Sequence, residues 1–172
     1  MPIGPAHPDT SLVLDNDVLT HWRNQRISIE QSVSDYISRL KRPPFLASMT
    51  VFEAIHGIEK AIHQIETSAA SRSIADGRKQ IAVLNQYRER AEELIQRCEV
   101  LPFDETAAKI AAYVFPRLSK RDRNKHWGDV FLAATAISNR CGVATRNQSD
   151  FELISNHLPP HHQLLRLAIW KP

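Results

Sequence analysis

The chain has 172 residues, of which 42% are hydrophobic and 24% charged, and its 22 basic and 19 acidic side chains give a formal net charge of +3. This length buries a sizeable core unaided, and two cysteines without metal-binding spacing argue against a disulfide scaffold or a zinc finger. The longest uncharged apolar stretch, residues 131–138, is far shorter than the roughly 20 residues that span a bilayer. We therefore expect a cytoplasmic globular protein outside the membrane, whose mild positive charge permits an anionic partner without requiring one.

Hydrophobic periodicity predicts an alternation of short strands and helices. Residues 1–10 contain three prolines and no apolar run, which predicts a flexible leader before a single domain over residues 11–172. The predicted elements are, in chain order, strand 11–14, helix 18–23, helix 28–40, strand 45–47, helix 51–65, loop 67–73, helix 74–98, strand 100–103, helix 104–118, charged loop 119–126, a helix from residue 129, strand 143–145, helix 149–155 and strand 164–170.

Local signals suggest where several of these helices begin and end. Ser28 is predicted to cap one helix, Ser48 or Thr50 to cap the next, and Gly142 to stop the helix that begins at Asp129. Because parallel strands need crossover connections, the alternation predicts a parallel sheet with helices on both faces.

Polar side chains follow each predicted strand, at the sheet edge where open α/β sheets bind ligands. These candidates are Asp15, Asn16, Asp17, Ser48, Glu53, Asp104, Glu105, Asn147 and Asp150, together with Asp129 if its helix begins at the same edge. Each one alone is more often a helix cap or a first-turn acid. Several carboxylates at one edge repel one another unless a cation neutralises them, and oxygen ligands favour Mg²⁺ or Mn²⁺. The pattern therefore predicts a metal site.

Five short motifs occur in a fixed order along the chain. They are Leu-Asp15-Asn-Asp17-Val-Leu, Thr50-Val-Phe-Glu53-Ala-Ile-His-Gly57, Leu101-Pro-Phe-Asp104-Glu-Thr-Ala-Ala108, Gly128-Asp129-Val-Phe-Leu-Ala-Ala-Thr-Ala136 and Ala144-Thr-Arg-Asn147-Gln-Ser-Asp150-Phe151. Together they resemble the PIN-domain family, in particular the VapC-like ribonuclease toxins of bacterial toxin–antitoxin pairs. The resemblance runs from about residue 12 to residue 169, and it implies a three-layer α/β/α fold around a short-stranded parallel sheet of about four or five strands.

The resemblance also implies an acidic pocket that binds Mg²⁺, with Mn²⁺ as an alternative, and hydrolyses RNA. Asp15, Glu53 and Asp129 match the family's acidic positions. The fourth acid of the family falls at the position of Asn147 or of Asp150, and here only Asp150 is acidic, so Asn147 would be a neutral ligand or would orient a water. The bound cation would acidify a water and neutralise the phosphodiester.

Two further positions are expected to support these ligands. Asp17 stands where the family most often has Asn, and it is expected to hydrogen-bond the turn or, as the alternative, to bind a second cation. Thr145, at the end of the fourth predicted strand, is expected to contact the metal ligands without binding the cation itself.

Substrate contacts are expected from the charged segment before Asp129. Phosphate and base contacts are assigned to Arg121, Arg123, Lys125 and Trp127 of this segment, and Arg146, next to the proposed site, is a further candidate for phosphate contact. Cations neutralise phosphates and an indole stacks on an unpaired base, which suits single-stranded or looped RNA. The alternative is a solvated loop with Trp127 packed beneath it.

The toxin resemblance implies two protein partners: a small VapB-like antitoxin whose C-terminal segment covers the pocket, and a second copy of the chain in a homodimer. The apolar contacts would come from Ile29, Val33, Tyr36 and Ile37, or from Ile55, Ile58 and Ile62, although both sets are equally consistent with core positions.

Two other functions compete with the nuclease. Asp15 and Asp17 also look like the nucleophile motif of haloacid-dehalogenase-like phosphatases, but no second acid follows Asp129 within a helical turn, and Glu53 would have no role. A PIN-like module that binds RNA or a protein without cleaving it is the non-enzymatic alternative.

The histidines considered at this stage are assigned no chemistry. A transition-metal site at His157, His161 and His162 is less expected than an exposed loop. His56 and His63 are expected on a helix surface, and the alternative for His56 is a place beside the pocket.

Overall fold

The computed structural model describes residues 3–68, 74–160 and 165–171. The strands within these ranges are β1 (Ile3–Pro5), β2 (Leu12–Leu14), β3 (Phe45–Ala47), β4 (Val100–Leu101), β5 (Gly142–Thr145) and β6 (Leu165–Ile169). The α-helices are α1 (Asn16–Arg23), α2 (Ile27–Leu40), α3 (Ser48–Thr67), α4 (Ile74–Gln96), α5 (Glu105–Val114), α6 (Lys120–Ser138) and α7 (Gln148–Ser155), and a 3-10 turn covers Phe115–Arg117. The predicted loop 67–73, the predicted first residue of the last strand and two of the considered histidines, His161 and His162, fall wholly or partly outside the described residues.

The strands form one parallel sheet in the order β1-β6-β5-β2-β3-β4. Strand β2 pairs with β3 on one side, at Val13 opposite Phe45, and with β5 on the other, at Val13 opposite Val143. After β2 the chain builds outward through β3 and β4, and it then returns to the opposite side of β2 for β5. The topological switch point therefore lies between β2 and β5, and open α/β sheets bind ligands beside the carboxyl ends of such strands.

Side chains of β2 alternate between two apolar layers, as the two-residue period of a strand requires. Leu12 and Leu14 pack with α1, α2, α3 and α4 on one face, whereas Val13 packs with α5, α6 and α7 on the other. The predicted three-layer α/β/α architecture around a parallel sheet is confirmed, with six strands in the described residues instead of four or five.

The additional strand comes from the segment predicted to be a flexible leader. Residues 3–5 pair in parallel with β6, and the backbone N–H of Ala6 donates to Leu167 O (2.9 Å). The prediction is therefore wrong for this part of the leader. Proline is compatible with a sheet when its strand lies at the edge, so the prolines that suggested a leader do not exclude pairing there.

Residues 120–125, predicted as part of a charged loop, form the first turns of α6. Ser119 caps this helix: its Oγ accepts from the backbone N–H of Asp122 (3.1 Å) and donates to the Asp122 carboxylate (2.6 Å). The helix then kinks at His126, whose backbone angles are not helical (φ −113°, ψ 20°). A serine with an acid three residues later is a capping signal, which the many charges of the segment concealed.

Two predicted helix caps are also wrong. Helix α2 begins after Arg26 and α3 begins after Ala47, and neither residue makes a side-chain cap. Ser28 and Ser48 therefore lie within the first turns of their helices. The buried Thr50 hydroxyl instead donates to Leu14 O (3.0 Å), which ties the start of α3 to the end of β2.

Gly142 does not stop α6 but begins β5. The left-handed conformation after the helix is taken by Arg140 (φ 57°). A Cβ on Gly142 would lie 3.0 Å from both Arg166 O and Leu12 Cδ2, so close strand packing explains the glycine.

The apolar positions suggested for a dimer interface belong largely to the core. Ile29, Val33 and Tyr36 are buried under the sheet, and Ile58 and Ile62 are buried against α4. These five side chains are therefore unavailable for an intermolecular contact. None of the helices in the described ranges is long and apolar enough to cross a membrane.

Candidate active site

Asp15 follows β2 directly and caps α1. Its Oδ1 accepts from the Asn16 backbone N–H (2.7 Å), and its Oδ2 accepts from the Thr145 hydroxyl at the end of β5 (2.7 Å). Thr145 is fully buried and also accepts from the Asn147 backbone N–H (3.0 Å). The carboxylate is therefore held across the switch point by both central strands.

The Asp15 carboxyl lies in an environment that disfavours its charge. Burial, with only 8% of the residue exposed, raises its pKa from 3.8 to about 7. The Asp17 and Asp129 carboxylates raise this pKa further, whereas the donors from Thr145 and Asn16 oppose the shift. Asp15 and Asp129 are therefore close enough to interact, although 113 residues of sequence separate them.

Glu53, on α3, packs against Gly128, the residue before Asp129. A Cβ built on Gly128 would lie only 2.0 Å from Glu53 Oε1. The missing side chain therefore makes room for this carboxylate. Burial and then the Asp129 carboxylate raise the pKa of Glu53, so Glu53 also belongs to the cluster.

Asp129 and Asp150 meet at the imidazole of His126. The Nδ1 atom of His126 lies 3.0 Å from Asp129 Oδ2 and 3.5 Å from Asp150 Oδ2. Burial raises the pKa of Asp129; the His126 hydrogen bond lowers it and the Asp150 carboxylate raises it. The His126 imidazole thus connects the acid of α6 with the acid of α7.

Asn147 supports Asp150 at the start of α7. Its exposed side chain donates from Nδ2 to Asp150 Oδ2, and Lys125 Nζ lies 3.8 Å from Asp150 Oδ1. Of the two positions considered for the fourth acid, Asp150 joins the cluster and Asn147 contacts it through a hydrogen bond.

Asp17, the extra carboxylate of the first motif, faces Arg146 and His21. Burial raises the pKa of Asp17, and the positive charge of Arg146 and the nearby His21 lower it. His21 Nδ1 donates to Asp17 O (2.8 Å), and Arg146 Nη1 donates to His21 Nε2 (2.7 Å). These contacts place Arg146 beside the acidic cluster, and the turn role expected for the Asp17 carboxylate stays a prediction.

The other residues assigned to RNA lie on the first turns of α6. Arg121 and Lys125 are exposed, Arg123 is half-buried, and Trp127 is 38% exposed. The Trp127 ring lies edge-on to Phe131 (6.0 Å between centroids) and is thus only partly packed.

Sequence reasoning missed Phe52, which lies directly before Glu53. This side chain is 48% exposed, stacks on His56 (5.0 Å) and lies edge-on to Trp127 (6.1 Å). These contacts bring together three exposed rings, those of Phe52, His56 and Trp127, close in sequence to Glu53 and Gly128. A phenylalanine beside a candidate acid was a usable signal.

Two of the other strand-end candidates have structural partners. Asp104 caps α5 by accepting from the Ala107 N–H (2.7 Å), and Glu105 pairs with Lys109 one turn later. Their positions after a strand thus reflect helix capping and a surface ion pair.

The remaining cluster has the donor set of a divalent-cation site. Ligand atoms of His126, Asp129 and Asp150 lie within 4.8 Å of one another, and Asp15 and Glu53 interact electrostatically with Asp129. Burial is the largest cause of the raised pKa values of Asp15, Glu53 and Asp129, and neighbouring carboxylates add to it. A bound cation would therefore favour the charged forms of these three carboxyls. Carboxylate oxygens and one imidazole nitrogen fit a divalent metal ion such as Mg²⁺ or Mn²⁺.

Comparison with solved structures shows the same fold in bacterial proteins. VapBC of Salmonella typhimurium, solved bound to DNA, has a chain that is 23% identical, with 94% of this chain and 99% of that chain aligned at a TM-score of 0.63. VapBC-1 of nontypeable Haemophilus influenzae is 19% identical, with 92% of this chain and 97% of that chain aligned at a TM-score of 0.61. A member of the VapBC family of toxin-antitoxin systems from Mycobacterium tuberculosis is 18% identical, with 93% of this chain and 98% of that chain aligned at a TM-score of 0.53.

Sequence comparison assigns the family. A search of curated protein sequences finds no significant match. A family profile described as the PIN domain matches residues 12–155, a range that includes the four carboxylates of the cluster and His126. The match excludes the phosphatase family as an explanation of the first motif. The chain belongs to the PIN domain family.

Proposed function

We propose that this protein is a metal-dependent endoribonuclease and the toxin of a toxin–antitoxin pair. Membership of the PIN domain family implies nuclease activity in general. The observation that carries the finer proposal is one acidic cluster at the switch point, to which β2, α3, α6 and α7 each bring a carboxylate: Asp15, Glu53, Asp129 and Asp150.

In this proposal the four carboxylates hold Mg²⁺, with Mn²⁺ as an alternative. The cation, when bound, acidifies a coordinated water and neutralises charge on the phosphodiester. Asp15 is fixed by Thr145, so its oxygen stays in place when a substrate arrives. Asn147 holds Asp150 in the same way from α7.

Substrate binding is assigned to side chains that border the cluster. Arg121, Arg123, Lys125 and Arg146 supply positive charge for phosphates, and Trp127 offers a ring to an unpaired base. The exposed rings of Trp127 and the neighbouring Phe52 favour flexible, unpaired RNA as the substrate, because the bases of a regular duplex are not free to stack on protein.

The partners follow from the structural neighbours. Because the VapBC structures share this fold, we propose a VapB-like antitoxin whose C-terminal segment covers the acidic cluster. A homodimer remains part of the proposal, but its contacts must come from surfaces other than the buried faces of α2 and α3.

The test is cleavage of a pooled, end-labelled RNA by purified protein with Mg²⁺, with Mn²⁺ and with EDTA. We expect fragments with either metal, none with EDTA and none from Asp129→Asn. Asp104→Asn is the control, because it makes the same chemical change at an acid outside the cluster. Asp104 caps α5, and Asn is an equally good cap. A folded, metal-loaded protein that leaves RNA intact would refute the nuclease and favour a PIN-like binding module.

A further inference from the structure

The His126 imidazole is placed by an irregularity of its helix. Helix α6 kinks at this residue, three positions before Asp129, and the imidazole is 4% exposed. Its Nδ1 atom points at carboxylates from two different helices, Asp129 on α6 and Asp150 on α7. A histidine that only filled space or capped a helix would not need to meet both acids.

The distances fit the spacing of ligands around one cation. With metal–ligand bonds of about 2.1 Å, adjacent ligands of an octahedral ion are about 3.0 Å apart. Nδ1 lies 3.0 Å from Asp129 Oδ2 and 3.5 Å from Asp150 Oδ2, so small side-chain shifts would bring the three atoms onto one ion. Carboxylate oxygens alone suit Mg²⁺, whereas imidazole nitrogen suits transition metals.

We infer that His126 Nδ1 is a direct ligand of the site's cation, together with Asp129 and Asp150, and that the site consequently prefers Mn²⁺ or a similar transition metal to Mg²⁺. The inference deepens the proposed function and rests on it for the identity of the metal site. The competing role is a positioning one, in which Nδ1–H only donates to the two carboxylates and never contacts the metal.

Pulsed electron paramagnetic resonance of Mn²⁺ bound to the whole protein distinguishes these roles, because a directly bound imidazole couples its nitrogen to the ion. We expect a ¹⁴N coupling in the wild type, which becomes a ¹⁵N coupling when the protein is labelled with ¹⁵N-histidine. The labelled wild type needs no substitution, so a folding defect cannot obscure the result.

A variant pair assigns the nitrogen to one residue. His126→Asn keeps a donor near Nδ1 but should abolish the coupling and weaken Mn²⁺ binding at least about tenfold, with a smaller loss for Mg²⁺. His56→Asn, which removes an imidazole that stacks on Phe52, should leave both unchanged.

Mn²⁺ bound without nitrogen coupling, coupling that persists in His126→Asn, or no Mn²⁺ binding by the wild type would each overturn the inference. RNA cleavage is scored separately. Cleavage without nitrogen coupling refutes the ligand role of His126 and leaves the proposed nuclease activity intact. Nitrogen coupling without cleavage supports the ligand role and refutes the nuclease activity.

Discussion

The two halves of the acidic cluster are built differently. In the strand half, Asp15 follows β2 and Thr145 ends the neighbouring strand β5. The Asn16 backbone N–H and the buried Thr145 hydroxyl fix the Asp15 carboxylate. In the helix half, Asp129, Asp150 and His126 contact one another through side chains, and both acids are partly exposed. A carboxylate held by the sheet is rigid from the moment the sheet forms, whereas one held by other side chains depends on each of them.

Because of this difference, we expect substitutions in the two halves to affect stability and activity differently. The strand half has the larger electrostatic cost, since burial keeps the pKa of Asp15 near 7, and it therefore influences stability. Glu53 also belongs to the helix half, because it packs against Gly128 of α6. The helix half thus depends on a kink and on a glycine, so we expect its substitutions to change activity more than stability.

Asp15→Asn should have the largest effect, with opposite signs on activity and stability. Cleavage should be lost with the metal ligand. The metal-free variant should nevertheless be more stable than the wild type at pH 8, by about 2–4 kcal/mol, because one pKa unit corresponds to about 1.4 kcal/mol. Asn remains a good helix cap, so α1 keeps its start.

The sign follows from proton binding. The folded pKa of Asp15 is about 7 and its ordinary value is 3.8, so the folded state binds more protons between these pH values and loses stability as the pH rises through them. Urea unfolding in EDTA at pH 5 and pH 8 measures this slope, which Asp15→Asn should reduce. An unchanged slope, or a variant less stable than wild type at pH 8, would contradict the burial argument.

Gly128→Ala should disable the helix half without unfolding it. The new Cβ would lie only 2.0 Å from Glu53 Oε1, so the flexible carboxylate must move away, and cleavage should fall about 10- to 100-fold. The free energy of unfolding should change by less than about 1 kcal/mol, since alanine favours the helix.

A double-mutant cycle with Glu53→Gln checks the cause. If Gly128→Ala acts through Glu53, the double variant should cleave no more slowly than the slower single variant. Additive losses would show that Gly128 acts by another route.

Thr145→Val tests the link within the strand half. The substitution removes a hydrogen bond to a buried carboxylate with little change of shape, and we expect destabilisation by about 1–3 kcal/mol at neutral pH and a further rise in the pKa of Asp15. Thr145→Ser keeps the hydroxyl and should retain most of the stability. Equal stability of the two variants would mean that the hydroxyl contributes nothing.

Trp127→Ala should have the smallest effect, confined to substrate binding. Loss of one stacked base predicts a KM for RNA raised by up to about tenfold with kcat nearly unchanged, while Trp127→Phe should retain part of the binding. A fall in kcat with constant KM would instead indicate that the ring supports the cluster through Phe52 or Phe131.

The comparison also explains what sequence reasoning could recover. Asp15 follows, and Thr145 ends, a strand whose apolar run is plain in the sequence, and the carboxyl ends of neighbouring parallel strands share an edge. The architecture and the position of Asp15 could be anticipated on that basis, whereas the choice of Glu53, Asp129 and Asp150 depended on motifs that resemble the PIN-domain family. His126 could not, because its position depends on a kink in a helix whose charged first turns resemble a loop.

Gly128 and the first strand show two further limits. The glycine matters because a side chain from α3, 75 residues earlier, occupies its empty space, and no local pattern encodes that contact. The strand Ile3–Pro5 has little β-type pattern of its own and depends on pairing with β6 at the other end of the chain.

The central claim is that carboxylates of both halves bind one cation and that RNA cleavage requires both halves. Its most direct test is the Mg²⁺- and Mn²⁺-dependent cleavage rate of the wild type, Asp15→Asn and Asp129→Asn on one end-labelled RNA. We predict that each single substitution, one in each half, abolishes the same metal-dependent fragments. Near wild-type cleavage by either variant would contradict the account.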